Sequence, residues 1–377
     1  MYGFSKSKLR VMLVGPSVDY VSGSLLRSVN IWYSLKNLKK VEVVYLPIGS
    51  VVHLLFYLHV LLGCDVVFVS GVNPWVGAVI VFLRRLVKRP VVMDVHGLAW
   101  YESLMTGDSN VLYRILVFVS EFFAYTYSTI IIAASKWLLS MLSKYFRIRR
   151  GFVVPNAITL MFEDAVRKLR FYDWTVLRRL MLKKIFEDMS IRVPYDFERL
   201  VLLVAPLPYV FRPNEMAYEV LISLSGKLSS NVMIVVTGMP KRILGNIVSV
   251  GYLPFLRYVA LLLTSDSVII PYPGNAVCSG VRNKVLEAGY CAKPVIATKT
   301  TMLHIDSLPR KHYIPFSDME RLLEKANPEL RREVVEGWRD VAVNLHKLVL
   351  DSFVYVKFKM RMLQILRLIV RSFKSEG

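Results

Sequence analysis

The chain alternates short apolar runs rich in β-branched residues with longer segments whose apolar positions recur at helical spacing. In the first half the runs are Val11 to Gly15, Val41 to Leu46, Val66 to Val69, Val91 to Val95, Ile130 to Ala133 and Val153 to Pro155. Each is followed by a turn signal, and that order predicts a parallel, doubly wound sheet. Met161 to Arg199 breaks the rhythm with helical patterning, no strand candidate, and cations at Arg167, Lys168, Arg170, Arg178, Arg179, Lys183 and Lys184. The rhythm resumes with Leu200 to Val204, Val232 to Val236, Ser267 to Pro271 and Val295 to Ala297, and beyond Pro328 the pattern is helical. The expected division is an N-terminal α/β domain over 1–160, a basic helical linker or insertion over 161–199, and a C-terminal α/β domain over 200–345. A terminal helix over 346–377 is expected to pack back on the N-terminal domain. The length agrees, because 377 residues exceed what one core usually serves.

Composition raises a rival that has to be tested. With 54% hydrophobic residues and a mean hydropathy of +0.44, membrane insertion is the first alternative. Val51 to Leu83 is nearly all apolar, but His53, His59, Asp65, Asn73 and Pro74 interrupt it, and Arg114 and Glu121 interrupt Val111 to Ala134. A lipid-spanning helix needs about 20 uninterrupted apolar residues, whereas central parallel strands are short apolar runs buried on both faces. The buried-sheet reading is therefore preferred. Lys6, Lys8 and Arg10 precede Val11 to Val14, yet that run is too short for a signal peptide and ends in Gly15-Pro16. A cytoplasmic location is expected, with a peripheral place on the inner face of the cell membrane as its extension. Cys64, Cys278 and Cys291 lack metal-ligand spacing and carry no assigned chemistry.

Charge narrows the partners. The net +21 predicts attraction to polyanions such as phosphorylated substrates or anionic lipid headgroups. Nucleic acid is not expected, because no interleaved aromatic and basic motif accompanies the charge. In the terminal helix Lys357, Arg361, Gln364, Arg371 and Lys374 form one stripe, and Phe358, Met362, Ile365, Ile369 and Phe373 another. The two stripes suit either a helix packed on the N-terminal domain or one lying on anionic lipid.

Candidate chemistry concentrates in Ser267 to Thr298, reading SVIIPYPGNAVCSGVRNKVLEAGYCAKPVIAT. An apolar strand ends at Pro271, a loop containing Gly280 follows, a helix is predicted to start near Arg282, and a second strand begins after Lys293-Pro294. Backbone N–H groups at a helix start hold a pyrophosphate favourably, and a glycine there permits close approach. Glu287, about two turns into the helix, is placed to accept two ribose hydroxyls, with Lys284 and Arg282 adding positive charge. Without other support, a strand, loop and helix with one glycine reads equally as a structural turn.

The stretch resembles the donor-binding signature of glycosyltransferase family 4. Gly280, Asn283, Lys284 and Glu287 match its Gly-x-x-Asn-Lys-x-x-Glu form, and Lys293-Pro294-Val295 matches the strand that follows. Ser279 stands where that family carries its first glutamate, the carboxylate that contacts the transferred sugar. VVMDVHGLAWY, Val91 to Tyr101, resembles the strand ending in Asp-x-His-Gly, which makes His96 the group that reaches the donor sugar; alone, such a histidine would read as structural. Ser120 to Ser135 and Val153 to Asn156 resemble the last N-terminal strands. Val201 to Asn214, Val235 to Gly238 and Val250 to Leu253 resemble the first units of the second domain. Ala205-Pro206 replaces the Gly-Arg many members carry there, so Arg212, Lys241, Arg242 and Arg282 all compete for the phosphate-binding role. Gly15 to Ser24 resembles the glycine-rich acceptor loop.

The resemblance implies an α/β GT-B fold, two Rossmann-like doubly wound domains facing across a cleft. It further implies retaining hexosyl transfer from a nucleoside diphosphate sugar to a glycan or lipid-linked acceptor, with no metal and no cofactor. The implied donor-binding set is Arg212, Gly238, Ser279, Gly280, Val281, Arg282, Asn283, Lys284 and Glu287, with His96 and Glu287 catalytic and Ser22 and Gly23 on the acceptor side. Two other readings stay open: a nucleotide-sugar epimerase of the same fold, and a non-catalytic protein that binds sugar nucleotides or a membrane surface.

Overall fold

The computed structural model describes residues 8–16, 23–48, 50–107, 109–190, 199–209, 211–276, 282–323 and 329–375. The described residues form two units: those through Ala157 with the segment from Val354 onward make one, and Ile158 to Ala276 with Arg282 to Phe353 supply the other.

The first unit is built on six parallel strands: β1 (Leu9–Gly15), β2 (Val41–Pro47), β3 (Val66–Ser70), β4 (Val91–Val95), β5 (Ile130–Ala133) and β6 (Gly151–Val153). Their order is β2-β1-β3-β4-β5-β6, with Val11 of β1 opposite both Val43 and Val66. Alternation along each strand feeds two cores. Met12, Val14, Val67, Val69, Met93 and Val95 pack beneath the helices Pro74–Leu86 and Val111–Tyr127. Val11, Leu13, Val66, Phe68 and Val92 pack against the helix Gly23–Lys36 and the terminal helix Tyr355–Ser375. The apolar stripe of that terminal helix, Phe358, Met362, Ile365 and Ile369, is buried there, so its apolar side faces protein. The side chains of Arg371, Phe373 and Lys374 lie outside the described residues.

The second unit carries β7 (Val201–Pro206), β8 (Val232–Thr237), β9 (Arg242–Leu244), β10 (Ile247–Ser249), β11 (Ser267–Ile270), β12 (Val295–Ala297) and β13 (Ile314–Pro315). Their order is β13-β12-β11-β7-β8-β10-β9, all parallel except the β9–β10 pair. The short strands β9, β10 and β13 escape the sequence reading.

The stretch read as a linker over 161–199 contains two helices of the second unit, Leu160–Leu169 and Trp174–Asp188, which bury Phe162, Val166, Leu182 and Phe186 against the helix Phe255–Thr264. Most of its cations are exposed; Arg178 is buried, bonded to Asp266 and to the carbonyls of Thr264 and Leu200. The segment read as one terminal helix over 346–377 is broken. Arg339–Ser352 belongs to the second unit, and only the helix from Tyr355 onward joins the first. No described helix is long and apolar enough to cross a membrane.

Candidate functional site

At the C-terminal end of β4 a buried carboxylate organises the first cluster. Asp94 and Arg27 have side chains 0% and 1% exposed and pair at 2.6 Å. Arg27 Nε also reaches both carboxylate oxygens, at 3.0 and 2.9 Å, and its Nη1 donates to Asn156 Oδ1. Ser70, the last residue of β3, donates to Asp94 Oδ2 at 2.8 Å, and His96 Nε2 lies 2.7 Å from the same oxygen. Burial pushes the Asp94 carboxyl up, but Arg27 and His96 together outweigh it and hold the group well below the usual carboxylate range. Asp94 thereby fixes the ring of His96, leaving the imidazole half-buried just past the strand.

The surrounding backbone is shaped to fit. Gly71 follows β3 at φ +66, and a Cβ there would lie 2.7 Å from Ser24 Cβ, so only glycine lets β3 and the helix Gly23–Lys36 approach this closely. Downstream, Glu121 is buried and accepts from the N–H groups of Ala99 and Trp100, at 2.8 and 3.3 Å, where the helix Ala99–Thr106 begins. Tyr125 OH donates to the same carboxylate. Burial raises its pKa to about 7, against the smaller opposing effect of those donors.

The second cluster stands at the C-terminal ends of β7 and β11, the end of a parallel sheet where α/β ligands sit. Lys284, in the first turn of the helix Asn283–Tyr290, donates to Asn214 Oδ1 at 2.8 Å and to Tyr272 OH at 2.9 Å. Tyr272 OH itself bonds Asn214 Oδ1, which closes a triangle of side chains from three segments. One turn on, Glu287 accepts from Tyr258 OH at 2.6 Å through Oε2. Burial raises the Glu287 pKa, with the Tyr258 hydrogen bond and the charge of Lys284 opposing it.

The other expected donor residues separate by environment. Arg282 is buried; its guanidinium stacks over the Tyr272 ring at 4.2 Å and donates to Ala276 O, so it packs inward. Arg212 bonds Glu215 and Glu219 of its own helix, at 2.9 and 3.4 Å. Lys241 and Arg242 are exposed at the β9 edge. Gly238 has φ +91, and a Cβ there would lie 2.6 Å from Pro208 Cα; the glycine lets the loops after β7 and β8 touch. Ser22, Ser279, Gly280 and Val281 lie outside the described residues, and Gly23 is the first residue of its helix.

Sequence reasoning missed Arg27, Ser70, Asn156, Tyr258 and Tyr272. Their one visible signal was polar residues, Arg27, Ser28, Asn30 and Ser34, at positions of the helix Gly23–Lys36 that prove buried. Among the described residues no group of three or more His, Cys, Asp or Glu is placed to hold a metal ion.

No family model matches the chain, and no curated protein matches its sequence. Solved structures do match. HepE of Anabaena, in complex with UDP and glucose, is 13% identical with a TM-score of 0.63, over 95% of this chain and 99% of that one. Sucrose-phosphate synthase from Thermosynechococcus elongatus is 14% identical with a TM-score of 0.64, over 97% and 100%. The N-terminal domain of Candida albicans trehalose-6-phosphate phosphatase is 11% identical with a TM-score of 0.57, over 97% and 98%. Identities this low establish likeness of fold alone, and the fold is GT-B, two Rossmann-like α/β domains in one chain.

Proposed function

We propose that this chain is a glycosyltransferase that takes a hexose from a nucleoside diphosphate sugar and passes it, with retention and without a metal, to a glycan or lipid-linked acceptor. The observation that carries the reading is the triangle of Lys284, Asn214 and Tyr272 at the C-terminal end of the second sheet, which holds an ammonium group at the start of a helix. A departing nucleoside diphosphate needs positive charge fixed before it leaves, and groups held in place need no reorganisation when the charge develops. Lys284 supplies that charge together with the amides that follow Gly280. Glu287 accepts ribose hydroxyls; Tyr258 occupies Oε2, and Oε1 has no hydrogen-bond partner among the described residues. His96, its ring fixed by Asp94, orients the transferred sugar. Arg212, engaged by two glutamates, is not needed for this assignment. The structural likeness to HepE, whose solved complexes contain UDP and UDP-glucose, supports the donor class.

Ser279 and Pro206, standing where the resembled family carries acting side chains, favour the non-catalytic binder as the second reading. A panel of nucleoside diphosphate sugars tests both. At least one member should raise the melting temperature, and that member should be consumed in the presence of a membrane extract containing acceptors. Stabilisation without turnover would favour the binder; no stabilisation by any member would refute both.

A further inference from the structure

The helix Val111–Tyr127 contains two charged residues, Arg114 and Glu121. Arg114 is half-buried and bonds Ser109, and Glu121 is buried beneath the helix Ala99–Thr106. At about 100° per residue they fall together on one side. The arc that runs from beside them round to the far side carries Val111, Leu112, Ile115, Leu116, Val119 and Phe122, all exposed, with Val111 and Leu112 at 69% and 66%. A surface helix ordinarily turns a polar stripe outward, and this one is apolar on both sides.

The apolar side does not stop at one helix. The helix Pro74–Leu86 packs alongside and exposes Phe82 and Leu86, and the helix Val51–Phe56 packs on that in turn and exposes Leu55 and Phe56, the latter at 73%. Tyrosines stand at the helix ends: Tyr57, Tyr113 and Tyr127 are all partly exposed. Arg85 lies 4.6 Å over the Tyr127 ring, and Lys88 beyond it is exposed. Apolar side chains bordered by tyrosine and cations are the pattern of a surface that settles into one leaflet, with rings and charges at headgroup level.

We propose that this three-helix face of the first unit docks onto a lipid bilayer containing anionic headgroups. Charge selects this occupant over a second copy of the chain. Pairing two such faces would bring together two bodies of net charge +21 with Arg85 and Lys88 at the seam, whereas an anionic leaflet satisfies the apolar face and its cationic border at once. The helices lie along the sheet and enter one leaflet without spanning the membrane. The inference goes beyond the transfer reading and does not depend on it.

The test is sedimentation of the full chain with vesicles of mixed phosphatidylglycerol and phosphatidylcholine, against phosphatidylcholine alone. Retention is expected on the mixed vesicles at low salt, weaker when salt is raised, and weaker still on the neutral vesicles. Leu112→Asp combined with Leu116→Asp should lower retention by at least about tenfold. Val119→Asn, which adds no charge, should lower it severalfold with the circular dichroism unchanged. Leu256→Asp, at an exposed leucine of the second unit, should leave retention as it was. Failure of the unaltered protein to bind mixed vesicles at low salt overturns the proposal, as does undiminished binding by a folded Val119→Asn variant. A vesicle-free dimer that the same substitutions dissociate overturns it in favour of a second copy. Vesicle binding without stabilisation by any nucleoside diphosphate sugar would count against the transfer reading and leave the docking face standing.

Discussion

The clusters at the C-terminal ends of the two sheets are built on opposite plans. At β4 a carboxylate and a guanidinium neutralise each other in the interior, and the histidine they position is the part left half-buried. At β7 and β11 the ammonium of Lys284 is held by an amide oxygen and a phenol, and the cluster lies beside a helix start. The first arrangement is an internal scaffold whose two charged side chains are buried. The second holds the cation that the proposed function assigns to an anion. Damage to the first should therefore be read in stability, and damage to the second in binding.

The largest expected effect breaks the scaffold. Asp94→Ala leaves Arg27 buried and uncompensated, and unfolding in denaturant should show a loss of about 3–5 kcal/mol. A loss below 1 kcal/mol would mean that the pair is not the keystone of its cluster.

A second buried carboxylate of the same unit sharpens the contrast. Glu121 is held by neutral donors alone, so its folded pKa of about 7 lies above the usual 4.5. Between those values the folded state binds more protons than the unfolded one. Its contribution to stability is therefore full below about pH 4.5 and is lost as pH rises through 7, on the order of 3 kcal/mol in all. Asp94 behaves oppositely: its stabilisation is present above the unfolded pKa and is lost in acid. The difference in melting temperature between Glu121→Gln and the parent should shift in the variant's favour from pH 5 to pH 8; a constant difference would show that Glu121 does not titrate there.

Binding is the readout for the second cluster. Lys284→Ala should weaken a stabilising nucleoside diphosphate sugar by roughly 10- to 100-fold in calorimetry, while changing stability little. Arg212→Ala should weaken it by less than about threefold, because Glu215 and Glu219 hold that guanidinium along its own helix. Reversal of that ranking would move the phosphate site from Lys284 to Arg212.

Gly238→Ala should cost about 1–3 kcal/mol in denaturant unfolding, since φ +91 and the contact with Pro208 both disfavour a side chain. An unchanged stability would show that the loops after β7 and β8 can part freely.

The long strands and the helix carrying Lys284 and Glu287 were legible in the sequence, because β-branched runs and a strand-loop-helix order are local patterns. The partners of those residues were not. Tyr272, Asn214 and Lys284 meet across 70 positions of chain, and Arg27, Asp94 and Asn156 across 129. No period or spacing encodes such meetings; strand order does.

The same division runs through the charges. By itself the sequence determined two α/β units, an excess of cations and the lysine-bearing helix, since each follows from composition or from periods shorter than a dozen residues. Only the tertiary structure decided which way each charge points. Glu121, which interrupts an apolar run on paper, turns inward, Arg114 lies half-buried against Ser109, and Arg282, expected beside a phosphate, turns inward to stack on Tyr272. The direction of a side chain depends on what packs against its element, and that is set by distant segments of the chain.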